Sequence, residues 1–142
     1  MIIANEKFET DAEERKGTVE DVKNIKETFE WLQFHVETIN DLRAGQMLEE
    51  LRRKAKLDHK GYDMFACFIL SHGGSGGIIA GVDEEVITEQ EIRNMFHGAE
   101  CPSLRDKPKL FFIQACRGAN QDDGAPPIQG LYRVACHFVA IA

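Results

Sequence analysis

Two near-continuous apolar runs set the limits on what this chain can fold into. They are MFACFILSH at 64–72 and KLFFIQAC at 109–116. Such runs suit central strands of a parallel sheet, which are covered on both faces. Each run follows a stretch with helical periodicity, so the pattern predicts an α/β domain. The expected architecture has three layers, with helices near 18–34, 44–57 and 89–97 on the two faces of a mostly parallel sheet. Open sheets of this kind place ligands at the carboxyl ends of their strands. His72 and Cys116 both stand at such ends. If the two strands are neighbours, these side chains meet at one edge of the sheet.

The rest of the chain fills in around those strands. MIIA at 1–4 reads as the stub of a buried strand, and 5–17 as a polar loop. Val19, Val22, Ile25, Phe29 and Leu32 recur at steps of three and four, marking one face of a helix. Thr18 is placed to cap that helix, with Asp21 at the acidic position of a capping box. Val36 and Ile39 in HVETIN suggest a short edge strand. Met47, Leu48, Leu51 and Ala55 give the second helix its apolar face. GGSGG at 73–77 is a sharp turn into a hairpin begun by IIAGV. Thr88 and Glu91 form a capping box for EQEIRNMFH.

Composition narrows the class of function. The chain has 142 residues, a length that suits one domain with its own core. Its net charge of −7 argues against a nucleic-acid or anionic-membrane partner. No stretch approaches the roughly 20 apolar residues of a membrane span. MIIANEKFET has no basic segment ahead of its apolar run, so it makes a poor secretory signal. Cys67, Cys101, Cys116 and Cys136 include no CxxC pair. Free thiols in a reducing, cytoplasmic compartment are therefore expected.

A cysteine attacks as thiolate, and a neighbouring imidazole takes its proton and returns it to a leaving amine. Backbone N–H groups must also face the oxyanion that develops on the attacked carbonyl. Gly73, directly after His72, puts no side chain in the way, so its N–H and that of Cys116 are the natural donors. Gln114-Ala115-Cys116-Arg117-Gly118 resembles the caspase signature, and His72 lies 44 residues upstream within Ser71-His72-Gly73. The resemblance runs from about Ile2 to Gly124. It takes in Asn5 through Phe8, Arg15-Lys16-Gly17-Thr18, Cys101-Pro102-Ser103-Leu104 and Lys107-Pro108-Lys109.

This resemblance implies a cysteine endopeptidase that cuts after aspartate in apoptosis or inflammatory signalling. By position it makes Cys116 the nucleophile and His72 the acid/base, with Gly73 and Cys116 lending their N–H groups to the oxyanion. It places Arg15 and Gln114 in the pocket for the substrate aspartate, where a guanidinium offers a planar fork for a carboxylate. No metal or organic cofactor is needed for such chemistry. The implied partners are protein substrates with Asp before the cut bond, and a caspase small subunit or a homodimer partner.

Each motif has a blander reading. A lone Cys at a strand end such as Cys116 is more often structural; Cys67, inside an apolar run, is expected in the core, and Cys101, in a loop before Pro102, has no expected role beyond the fold. Arg15, in the polar run EERKG, could be a solvated loop residue. His97 and Cys101 are too few for a zinc site. The chain also departs from the family. Residues 1–124 resemble the large subunit, whereas 125–142 form a tail unlike the small subunit. The first strand is short, and no pro-domain is expected before it. LYRVACHFVAIA could pair along an exposed sheet edge or stay disordered. The isolated chain is accordingly expected to turn over weakly or not at all. A non-catalytic interaction module that regulates a full-length caspase is the alternative, and a small α/β domain without chemistry is a third.

Overall fold

The computed structural model describes residues 1–9, 12, 14–115 and the backbone of 136–141. In chain order its elements are β1 (Ile2–Ala4), α1 (Thr18–Trp31), β2 (Thr38–Asn40), α2 (Ala44–Ala55), β3 (Phe65–Leu70) and β4 (Gly73–Gly74). There follow β5 (Ile78–Ala80), β6 (Val86–Thr88), α3 (Glu89–Phe96), β7 (Lys109–Gln114) and β8 (Cys136–Ile141). The main sheet runs β2-β1-β3-β7-β8, and β4-β5-β6 form a small second sheet. β2, β1, β3 and β7 are parallel. β8 lies antiparallel along β7, from Lys109 opposite Ile141 to Gln114 opposite Cys136. Of the two expectations for the tail, pairing along the sheet edge is the one observed.

The strand period of two sorts the core into two layers. Ile3, Cys67, Ile69, Phe111 and Ile113 point to one face, where they meet Met47, Leu51 and Ala55 of α2 and Ile92 and Phe96 of α3. Ile2, Ala4, Ala66, Phe68 and Leu70 point to the other, against Val22, Ile25 and Phe29 of α1. Helices thus cover both faces, as the unbroken apolar runs require. Phe68 stacks on Phe112 at 4.4 Å, and Phe29 meets Phe68 edge-on at 4.8 Å. β1 is only three residues long, yet both its edges are paired, and all three residues are buried.

The first helix differs from expectation at both ends. Thr18 does not cap it: the N-cap is Gly17, at φ 95°, and Thr18 is the first helical residue. A left-handed turn suits glycine, which has no Cβ to clash. The Thr18 hydroxyl serves Arg15 instead, donating to its carbonyl at 2.8 Å and accepting from Nη1 at 3.0 Å. The helix stops at Trp31 rather than 34, ahead of Gln33 at φ 67°. Val19 is 69% exposed, so the stripe that reaches the sheet begins at Val22. The Thr88–Glu91 capping box of α3 forms as expected, with Thr88 N donating to Glu91 Oε2 at 2.8 Å and Glu91 N to Thr88 Oγ1 at 3.2 Å.

Helix α2 is capped from a distance. Ala44 N donates to Asp83 Oδ1 at 3.1 Å. Gly81 makes this approach possible, because a Cβ there would collide with Ala44 N and with Asp83 Oδ1. At the other end of α2, Lys54 and Arg53 both pair with Glu37.

Two outcomes follow from this packing. Phe96 is fully buried between Phe65 and Phe111. Phe96→Ala should cost about 3–5 kcal/mol in a urea titration. The Lys54 hydrogen bond holds the Glu37 carboxyl below its ordinary value of 4.5. Its contribution is present above that pH and is lost as pH falls through the depressed folded-state pKa. Because Glu37 is 38% exposed, the loss should stay under about 1 kcal/mol. Glu37→Gln should flatten the acid side of the stability profile by that amount.

Candidate active site

The site is built on the ladder between β3 and β7. Leu70 lies beside Gln114, and Ser71 N donates to Gln114 O at 3.1 Å. His72 therefore leaves the sheet next to Gln114, at the carboxyl edge where the apolar runs end. Cys116, two residues beyond Gln114, lies outside the described residues, as do Arg117, Gly118 and the segment to 135.

Arg15 reaches this edge from the loop before α1. Its Nη2 donates to Gln114 Oε1 at 3.2 Å, and its Nη1 to Thr18 Oγ1 at 3.0 Å and Asn5 O at 3.4 Å. The guanidinium is thus held by three neighbours and is only half-exposed. A freely solvated loop arginine does not describe it. The structure brings Arg15 and Gln114 together, with His72 two residues beyond the end of the adjoining strand β3. Gly73 stands in β4, paired with Ile79 of β5.

One organising residue had no role in the sequence reasoning beyond its place in a motif. Asn5 is fully buried at the end of β1. Its Oδ1 accepts from Leu42 N at 2.9 Å, while Nδ2 lies 3.2 Å from both Leu42 O and Ser71 Oγ and 3.3 Å from Ala80 O. Ser71 Oγ in turn donates to Ala80 O at 2.6 Å. One amide thus ties together the ends of β1 and β3, the start of α2 and the strand β5. In the sequence it stands out only as the first residue of the motif from Asn5 to Phe8.

His72 is half-buried, with its ring 4.4 Å from that of Phe8. Beside it opens a cavity of about 260 Å³, with Phe8, Ala12, Gly74, Ile78 and Val86 in its walls. A larger cavity of about 750 Å³ lies at the opposite end of the strands, around Phe34, His35, Lys54, Tyr62 and Met64. It includes none of His72, Arg15 or Gln114, so it lies apart from the sequence-predicted site.

Burial pushes the Cys67 thiol up to about 12 and raises that of Cys101. A thiol held protonated is a poor nucleophile. Both side chains are fully buried, Cys67 in the core as expected and Cys101 from the loop ahead of Pro102. Among the described residues no group of three or more His, Cys, Asp or Glu is placed to hold a metal. Among them also, no helix is long and apolar enough to cross a membrane.

Residues 1–133 match the family model of the caspase domain, Peptidase_C14. The chain belongs to the caspase family. It is 43% identical to caspase-8 of Rattus norvegicus over 113 residues, covering 80% of this chain and 23% of that protein. It is 38% identical to caspase-3 of Xenopus laevis over 125 residues, covering 87% of this chain and 44% of the relative. With caspase-3 of Oryctolagus cuniculus the identity is 38% over 144 aligned positions, covering 99% of this chain and 51% of the relative. The chain therefore spans between 23% and 51% of these caspases' lengths.

Two measurements check the site's framework. Asn5→Ala would strand several buried partners, and should cost about 2–4 kcal/mol by urea unfolding. In native buffer at neutral pH, Cys67 and Cys101 should resist iodoacetamide until denaturant is added, as read by mass spectrometry of the digested chain.

Proposed function

We propose that this chain is the catalytic large-subunit portion of a cysteine endopeptidase that cuts after aspartate. Residues 1–124 form that domain, with 125–142 as a tail. Cys116 attacks the scissile carbonyl as thiolate. His72 accepts the thiol proton and returns it to the leaving amine. The N–H groups of Gly73 and Cys116 receive the oxyanion. Arg15 and Gln114 hold the substrate aspartate.

The contact between Arg15 and Gln114 at 3.2 Å, beside His72, carries this reading. It puts a guanidinium and an amide at one place on the sheet edge, the pair of groups a carboxylate would use. No cofactor takes part. The substrates are proteins with Asp before the cut bond, met in the cytoplasm during apoptotic or inflammatory signalling. The working assembly includes a caspase small subunit or a homodimer partner, as membership of the caspase family implies. Alone, it should turn over weakly or not at all. A second reading, a non-catalytic module that regulates a full-length caspase, is favoured by β8, which already occupies the outer edge of β7 along six residues.

A fluorogenic peptide ending in Asp distinguishes the two. The purified chain is assayed with and without a co-expressed caspase small subunit. Turnover should appear with the small subunit and vanish in Cys116→Ala. His72→Ala should lower kcat by about 10²–10⁴. Arg15→Ala should lower kcat/KM by roughly 100-fold, as expected when a charged partner of a carboxylate is removed. Silence in both mixtures from a folded chain would favour the regulatory module.

A further inference from the structure

The motif residues from Asn5 to Phe8 play no part in the chemistry above, yet the backbone that carries them is anchored on both sides. Asn5 is fixed by its buried amide network. The N–H groups of Glu6 and Lys7 both donate to Asp41 Oδ1, at 2.8 and 3.0 Å. Asp41 itself sits at φ 53°, a left-handed conformation that few residues other than glycine adopt. Its own N–H donates to Ala4 O at 3.0 Å. Beyond Phe8, Glu9 N donates to Val82 O at 2.8 Å, and the Glu9 carboxylate meets Arg43 Nε at 2.7 Å. The outcome of these anchors is one contact: the Phe8 ring against the His72 imidazole, centroids 4.4 Å apart and planes at 38°.

The backbone of His72 is fixed as well. Its carbonyl accepts from Ala80 N at 2.9 Å, and the preceding Ser71 N donates to Gln114 O at 3.1 Å. Beyond the main chain, the orientation of the imidazole is set about its two side-chain torsions. A ring seated against one of its faces removes the rotamers that swing to that side.

We propose that Phe8 is a positioning residue for His72: its anchored ring holds the imidazole in one orientation at the carboxyl edge of the sheet. The proposal rests on the reading of His72 as the acid/base, and gives Phe8 a role exerted through that imidazole. Proton transfer needs the imidazole within hydrogen-bond reach of its partner. A misplacement of about 1 Å can cost on the order of 100-fold in rate.

The test has a kinetic arm and a spectroscopic arm. In the chain co-expressed with a caspase small subunit, Phe8→Ala should lower kcat by about 10- to 100-fold with KM changed less than about twofold. Phe8→Tyr keeps the ring and should restore kcat to within about threefold of the parent. Phe8→Leu keeps apolar bulk without the ring and should fall between them. Phe8 is only half-buried, so the variants should fold, which circular dichroism checks. In NMR spectra of the chain alone, the His72 Hα–Hβ three-bond couplings, assigned with His72→Gln, should report one rotamer in the parent and an average of several in Phe8→Ala. Unchanged kcat in Phe8→Ala beside an active parent would overturn the proposal. If no mixture shows Cys116-dependent turnover, the protease reading fails, and the NMR arm still decides the clamp. Unchanged His72 couplings in Phe8→Ala would overturn it, and rotamer-averaged couplings would support it.

Discussion

The parallel ladder between β3 and β7 is the constraint on which the rest of this structure depends. Six residues of each strand pair in register, from Phe65 beside Lys109 to Leu70 beside Gln114. Both faces of both strands carry apolar side chains, so both need cover. Helices α2 and α3 supply it on one face, and α1 on the other. The same register sets where the strands end. It brings Ser71 and His72 out next to Gln114 without any further folding step. A shift by one residue would turn every side chain to the wrong face. The core therefore protects the geometry of the sheet edge along with its stability.

Polar groups finish what the ladder begins. The carboxyl edge is assembled from four separate stretches of chain, around Asn5, Arg15, His72 and Gln114. None of these is near another in sequence except the first two. Their contacts are hydrogen bonds in a partly or fully buried setting, where an unmet partner is costly. Among the described residues, every buried side-chain nitrogen or oxygen has a partner. Such a network tolerates little rearrangement. That rigidity suits a site whose proposed chemistry needs the acid/base and the carboxylate-binding groups held at fixed separation.

Particular elements show how far local pattern carries. The apolar runs at 64–72 and 109–116 were legible as strands because nothing but cover on two faces accommodates them. The α3 capping box was legible because Thr88 and Glu91 interact across one turn, within the reach of local rules. Thr18 misled for the converse reason. A threonine ahead of a helical stripe is a good local cap, but Arg15 competes for its hydroxyl, and Gly17 can take the left-handed turn that Thr18 cannot adopt cheaply. Val19 and Leu32 extended the apolar stripe of α1 in the sequence, but the sheet does not reach that far. Asn5 was visible only as part of a motif. Its partners at Leu42, Ser71 and Ala80 lie 37 to 75 residues away, and no periodicity reports contacts at that distance.

By itself, the sequence determined the class of fold, the strands that form its centre, and the two motifs that carry His72 and Cys116. These depend on side-chain period, strand composition and short-range spacing, which are written along the chain. Only the tertiary structure decided that β8 lies antiparallel on β7, that Arg15 reaches Gln114 across 99 residues, and that Phe8 seats against His72. Those contacts join segments remote in sequence. They exist only after the sheet has brought its strand ends to one edge, because hydrogen bonds and ring contacts act over a few ångströms.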